Sequence, residues 1–170
     1  DPATDAHITT SGLATLRAGS ITGDVMLTTQ LAALDAILDS GNLRLSNTGA
    51  LALDAQAATG NLDISTRGAM VLSRAIAASG GTVTLNATDT LSGDAAMTAG
   101  QLDLASSTGD IVLTLASADT VTISRAATAQ CRIALASQGA MEVGNLGAKT
   151  TLSLSAGGTG LRSIGTSMLS

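Results

Sequence analysis

The sequence predicts an all-β chain wound as a right-handed parallel β-helix, a solenoid whose coils take about 19 residues each. Two observations carry this prediction. A strand-like unit of the form x-x-apolar-x-apolar recurs at near-constant spacing, and the apolar side chains are all aliphatic.

The first track of units runs Gly41 to Leu45, Gly60 to Ile64, Gly81 to Leu85, Gly100 to Leu104 and Asp119 to Ile123, at offsets of 19, 21, 19 and 19 residues. Cys131 to Leu135 and Thr150 to Leu154 repeat the form, again 19 apart. A second track follows eight or nine residues behind: Gly49 to Leu53, Gly68 to Leu72, Asp89 to Leu91, Gly109 to Leu113 and Gly139 to Val143. Apolar residues alternate within each unit, the period of a half-buried strand rather than the i, i+3, i+4 spacing of a helix. Polar links rich in turn formers join the tracks, among them Ser46-Asn47-Thr48, Ser65-Thr66-Arg67, Asn86-Ala87-Thr88 and Ser137-Gln138. The Ala-rich pieces 31–38 and 75–78 fit a helix locally, but they fall where a third short strand or a corner of each repeat should lie, and they read as coil corners.

Stacking the units on successive coils makes inward columns. One reads Leu43, Leu62, Val83, Leu102 and Val121, resuming at Ile133 and Leu152, and its companion reads Leu45, Ile64, Leu85, Leu104, Ile123, Leu135 and Leu154. The outward position between them holds Arg44, Asp63, Thr84, Asp103, Thr122, Ala134 and Ser153, so charge falls on the solvent side. At a strand spacing of about 4.8 Å, eight or nine coils would stand roughly 40 Å tall. Residues 1–170 read as one β-helical segment, with 1–21 irregular. From Val121 to Ile133 the spacing falls to 12, so 119–130 is expected to be a short coil or an insertion.

Composition agrees with a narrow interior. There are 31 Ala, 24 Leu, 24 Thr, 19 Gly and 18 Ser, but no Phe, Tyr or Trp, and a coil that admits one side chain from every second position has no room for aromatic rings. With 45% hydrophobic and 12% charged residues, the chain is too apolar to remain disordered. Its net charge of −5 and single lysine, Lys149, speak against nucleic acid as a partner. No apolar run approaches the roughly 20 residues that span a bilayer.

The 19-residue unit, as in GNLRLSNTGALALDAQAAT over residues 41–59, resembles the haemagglutinin repeat of filamentous haemagglutinin and related exoproteins of two-partner secretion, across most of residues 22–170. The resemblance implies an internal segment of a larger secreted or surface-displayed rod from a Gram-negative bacterium. Such a rod serves as an adhesin shaft that presents attachment to host cells, or as the stalk of a contact-dependent inhibition toxin. The implied partners are a host-cell receptor or glycan, the neighbouring coils of the full-length exoprotein, and an outer-membrane transporter during secretion.

Candidate chemistry is sparse, and the expectation is a chain that is not an enzyme, with no catalytic residue, cofactor or metal. His7 is the one histidine and reads as a solvated side chain. Cys131, the one cysteine, sits where Gly41, Gly60, Gly81 and Gly100 open other units, which suits a small turn residue better than a nucleophile. Neither a disulfide within the chain nor a tetrahedral Cys/His zinc set can be assembled. Asp63 and Asp103 align on one outer face two coils apart, and paired carboxylates cleave polysaccharides in some β-helices. Thr84 between them puts the pair roughly 10 Å apart, and no aromatic platform exists to hold a sugar, so solvated strand charge is expected. A carbohydrate-active β-helix is the remaining enzymatic alternative. Gly80-Gly81 and Gly157-Gly158 lack the aspartates of calcium-binding β-rolls, and Asn86-Ala87-Thr88 matches a glycosylation sequon short enough to arise by chance.

Overall fold

The computed structural model describes residues 6–116, 119–158 and 160–164, the side chains of 6, 7 and 20–22 excepted. It is a parallel β-solenoid of about eight turns, with coils of about 20 residues and, among the described residues, no helix. The strands are β1 (Ala6–Asn47), β2 (Leu51–Ala57), β3 (Leu62–Thr66), β4 (Met70–Ala87), β5 (Leu91–Ser106), β6 (Ile111–Leu115), β7 (Val121–Thr128), β8 (Ile133–Ser137), β9 (Met141–Gly147), β10 (Leu152–Ala156) and β11 (Leu161–Ser163). Among the described residues these strands pair in parallel.

The first-track ladder is the one expected for four coils: Leu43 pairs with Leu62, Leu62 with Val83 and Val83 with Leu102, while Leu45, Ile64, Leu85 and Leu104 stack beside them. All eight side chains are buried. The second track stacks Leu51, Met70, Leu91, Ile111, Ile133 and Leu152 (Leu51 being the first of these whose partner on the following coil is Met70). The stacked inward columns hold apolar side chains without aromatic rings because the parallel ladder fixes the coil spacing, and like-sized side chains fill the layer between coils. Each fully buried Leu or Ile contributes about 1.5–3 kcal/mol.

The expected register fails beyond Leu104. Leu102 pairs with Ile123 instead of Val121, and after a bulge at Ser124 the ladder continues as Asp103 with Arg125 and Leu104 with Ala126. Ile133 and Leu135 stack on Ile111 and Leu113, so they extend the second track, not the first, and Leu152 and Leu154 follow them. Residues 119–130 are thus neither a short coil nor an insertion, since 121–128 forms β7 and closes a full coil. Both tracks share one apolar pattern, so a 12-residue spacing that joins different tracks mimics a shortened repeat.

Two further expectations are corrected. From Ala6 the chain is strand, so residues 6–21 are not irregular: β1 winds past successive corners, and Arg17, Asp24 and Thr29 bond to Asp35, Asn42 and Asn47, each 18 residues ahead. The Ala-rich pieces are a third stack of strands rather than corners, with Ala36–Leu38 on Ala55–Ala57, and Ile76–Ala78 on Met97–Ala99. Alanine suits this face because alternate residues turn inward and small side chains fit there.

Later coils carry this face as Val121–Ile123 on Met141–Val143 and then Leu161–Ser163. The strand run breaks after the third face at 58–61, and before it at 138–140.

Coil-to-coil contact is tight where first-track units begin. A Cβ built on Gly81 would lie 1.9 Å from the Gly60 carbonyl oxygen, and one on Gly60 would lie 2.0 Å from that of Gly41. Gly60 also has a φ of 134°, so glycine is required there twice over.

A buried polar column lines the corner between the first and second faces: Asn47, Thr66, Ala87, Ser106 and Thr128 are successive ladder partners. These side chains supply the turn backbone with the hydrogen bonds that water would otherwise make. Asn47 Oδ1 accepts from Thr29 Oγ1 and from the Leu31 N–H, both at 2.8 Å, and its Nδ2 donates to the Leu31 carbonyl at 3.1 Å. Thr66 Oγ1 donates to the Gly49 carbonyl and Thr128 Oγ1 to that of Gly109, while Ser106 Oγ donates to the Asp89 carbonyl at 2.6 Å and accepts from the Gly109 N–H.

Two stability measurements test this architecture. Excising 41–59 joins Ser40 to Gly60 and sets Leu62 in the place of Leu43, so the shortened protein retains its circular dichroism spectrum. Leu62→Asp buries a carboxylate without a partner and lowers stability by several kcal/mol, on the order expected for a lost core side chain plus an unpaired charge. An unfolded deletion variant beside an unperturbed Leu62→Asp protein would refute the stacking. In thermal melts, Asn47→Ala orphans buried backbone groups and costs at least about 1–3 kcal/mol, more than Asn61→Ala on the exposed side of the coil.

Candidate functional site

Outward side chains meet across coils as regularly as inward ones, and the outer surface is where any binding chemistry must lie. Arg44 is the ladder partner of Asp63 and its Nε donates to Asp63 Oδ2 at 3.1 Å. Asp63 is followed by Thr84, then Asp103, then Arg125, whose Nε donates to Asp103 Oδ1 at 2.8 Å. The column Arg44-Asp63-Thr84-Asp103-Arg125 places the two carboxylates where the sequence put them, with Thr84 between. Each is engaged by a guanidinium from the coil on its far side, so neither is left to act on a shared substrate.

The same arrangement recurs elsewhere. Arg17 meets Asp35 at 3.2 Å, Arg132 meets Asp110 at 2.9 Å and Arg162 meets Glu142 at 3.9 Å. The five ion pairs among the described residues all join residues on consecutive coils, and being solvent-exposed they are screened by water. A neutral counterpart follows the coil edge: Asn42 Nδ2 donates to Asp24 Oδ1, Asn42 Oδ1 accepts from the Asn61 N–H, and Asn61 Oδ1 accepts from the Thr82 N–H.

Asp110 has the most developed electrostatic setting. The backbone N–H of Arg132 reaches Oδ1 at 3.2 Å and the guanidinium Nε reaches Oδ2 at 2.9 Å. The backbone contact first, and the guanidinium after it, hold this carboxyl below the usual carboxylate range, against the opposing effect of desolvation.

Cys131 is partly exposed, and its thiol donates to the Thr108 carbonyl at 3.0 Å. Because Ile133 stacks on Ile111, Cys131 aligns with Gly109 of the second track and not with the Gly41 and Gly60 series. The backbone of His7 belongs to β1, but its side chain lies outside the described residues. Asn86 points outward, half-buried, beside the polar corner.

Two shallow depressions follow the corner between the first and second faces. Ser46, Ser65, Arg67, Asn86, Thr88 and Ser107 line one, and Ala105, Ala127, Ala129, Ala148 and Lys149 line the other. Sequence reasoning placed Ser46, Ser65, Arg67, Asn86 and Thr88 in polar links without showing that they lie on successive coils at one corner. A third, smaller cleft is lined by Met97–Ala99 and Asp119–Val121. Among the described residues no group of three His, Cys, Asp or Glu side chains is placed to hold a metal ion, and no helix is long and apolar enough to cross a membrane.

Comparison with protein-family models, curated proteins and solved structures returned no match.

The two contacts on Asp110 can be separated by titration. Its folded carboxyl titrates below the unfolded one, so the contacts add stability above the unfolded titration and lose it as pH falls through the folded one. In carboxyl NMR titrations, Arg132→Gln raises the Asp110 midpoint but leaves it below the ordinary value, because the larger cause, the backbone N–H, remains. A midpoint at the unfolded value would show that the backbone contact is absent.

Proposed function

We propose that the chain is a structural rod, a segment of the shaft of a secreted or surface-displayed bacterial exoprotein similar to filamentous haemagglutinin, presenting attachment to host cells. One observation carries this reading: all five ion pairs are used to tie one coil to the next, above an aliphatic interior. Chemistry on a solenoid would call for side chains converging on one groove, and Asp63 and Asp103 are instead held apart by Thr84 and engaged by Arg44 and Arg125. In this reading the rod is not an enzyme. Its partners are a host-cell receptor or glycan and the neighbouring coils of a longer exoprotein, with an outer-membrane transporter serving its export. The stalk of a contact-dependent inhibition toxin would place the same mechanical demands on the coils.

A glycan array, a cell-attachment assay and a panel of polysaccharide lyase and hydrolase substrates test the proposal together. Attachment without turnover is the expected result for an adhesin shaft, and silence in all three reduces the role to a spacer. Turnover that Asp63→Asn or Asp103→Asn abolishes would overturn it.

A further inference from the structure

We propose that the corner between the first and second faces is a groove for an anionic polysaccharide laid along the axis of the rod. The inference rests on the attachment reading and deepens it, naming the glycan by its charge and the surface that takes it.

Charge is distributed unevenly over the outer surface. Of the eight Lys and Arg side chains, five are held by carboxylates of neighbouring coils. The other three, Arg67, Arg74 and Lys149, are exposed and have no ion pair among the described residues. Arg67 and Lys149 line the corner depressions, and no carboxylate lines either one. Asp89, beside Thr88, lies outside both linings and accepts from Thr108 Oγ1 at 3.1 Å. On a chain of net charge −5, the corner is thus a strip of uncompensated positive charge.

The two depressions meet at Ser107 and share one floor. Ser46, Ser65, Asn86, Ala105, Ala127 and Gly147 are successive ladder partners along it, all with short side chains or none. The longer side chains of the Arg44-Asp63-Thr84-Asp103-Arg125 column flank this floor one outward position earlier. Ser65 and Gly147 are four coil steps apart, so Arg67 and Lys149, two residues beyond each, stand roughly 19 Å apart along the axis.

What the groove leaves free selects its occupant. The turn backbone is already bonded from coil to coil, the Arg67, Thr88 and Ser107 N–H groups donating to the Asn47, Thr66 and Ala87 carbonyls, so a peptide strand finds no open edge. With no aromatic residue in the chain, nucleic-acid bases have nothing to stack on. Ser46, Ser65, Asn86 and Ser107 make no side-chain hydrogen bond to the described residues. Their hydroxyls and amide match the hydroxyls of sugar rings, and the two cations match acid groups borne at intervals along an extended chain.

Affinities of the 170-residue chain for polygalacturonate, dextran sulfate, neutral dextran and a single-stranded oligonucleotide test the inference, with Arg67→Gln and Lys149→Gln combined, Ser107→Asp, and Arg74→Gln as the control. All four side chains are exposed, so circular dichroism is expected to match the parent. The parent should bind a polyanionic polysaccharide in a salt-sensitive manner and leave neutral dextran alone. The double variant and Ser107→Asp are each expected to lose about tenfold in affinity, while Arg74→Gln stays within about twofold of the parent. Preference for polygalacturonate assigns a carboxylate-bearing chain, and preference for dextran sulfate a sulfated one. Binding of neither polyanion, equal binding of neutral dextran, tighter binding of the oligonucleotide, or a loss on Arg74→Gln as large as in the double variant would each overturn the groove. Cell attachment by a parent that binds neither polyanion removes the groove and leaves the attachment reading standing. Polysaccharide binding that the double variant loses, in a protein that attaches to no cell, upholds the groove and removes the attachment reading.

Discussion

The parallel ladder between coils is the constraint on which the rest of this structure depends. Once strands stack at backbone hydrogen-bonding distance, the layer between coils has one thickness throughout, and every inward position must hold a side chain that fits it. The absence of aromatic residues, the columns of Leu, Ile, Val and Ala, and the glycines against the carbonyls of Gly41 and Gly60 are all consequences of that spacing. The same spacing brings outward residues of consecutive coils within reach, so opposite charges 18 to 22 residues apart in sequence become neighbours. Contacts that look long-range along the chain are in fact the nearest available.

The sequence revealed this spacing well and the path of the chain around each coil less well. Alternation and repeat length were enough to place Leu43, Leu62, Val83 and Leu102 in one column and Arg44 beside Asp63. They were not enough to tell the tracks apart, because Gly109 to Leu113 and Cys131 to Leu135 satisfy the same pattern as the first-track units. A two-residue shift puts Leu102 on Ile123, and the extra residue at Ser124 then sets Asp103 opposite Arg125 instead of Thr122, which supplies the second carboxylate with a cation. A bulge leaves no mark in an apolar pattern when the residues around it are small. Asn47, Thr66 and Ser106 were likewise recognisable as turn formers, but that they point inward follows only from which backbone groups the corner leaves without partners.

The outer surface was legible mainly through its poverty in reactive side chains. One histidine, one cysteine and scattered carboxylates offered few constellations to consider, and the register settles how the carboxylates are used, with Asp63 and Asp103 each facing an arginine. The corner depressions carry a different lesson. Ser46, Ser65 and Asn86 are unremarkable as single residues and form a common surface only because the coils bring them into line.

The polar corner has a mechanical consequence. Asn47, Thr66, Ser106 and Thr128 each bond to backbone groups of the preceding coil. Pulling one coil off the next therefore breaks side-chain contacts inside the stack as well as the backbone ladder, and water has to reach that corner before the two coils can part.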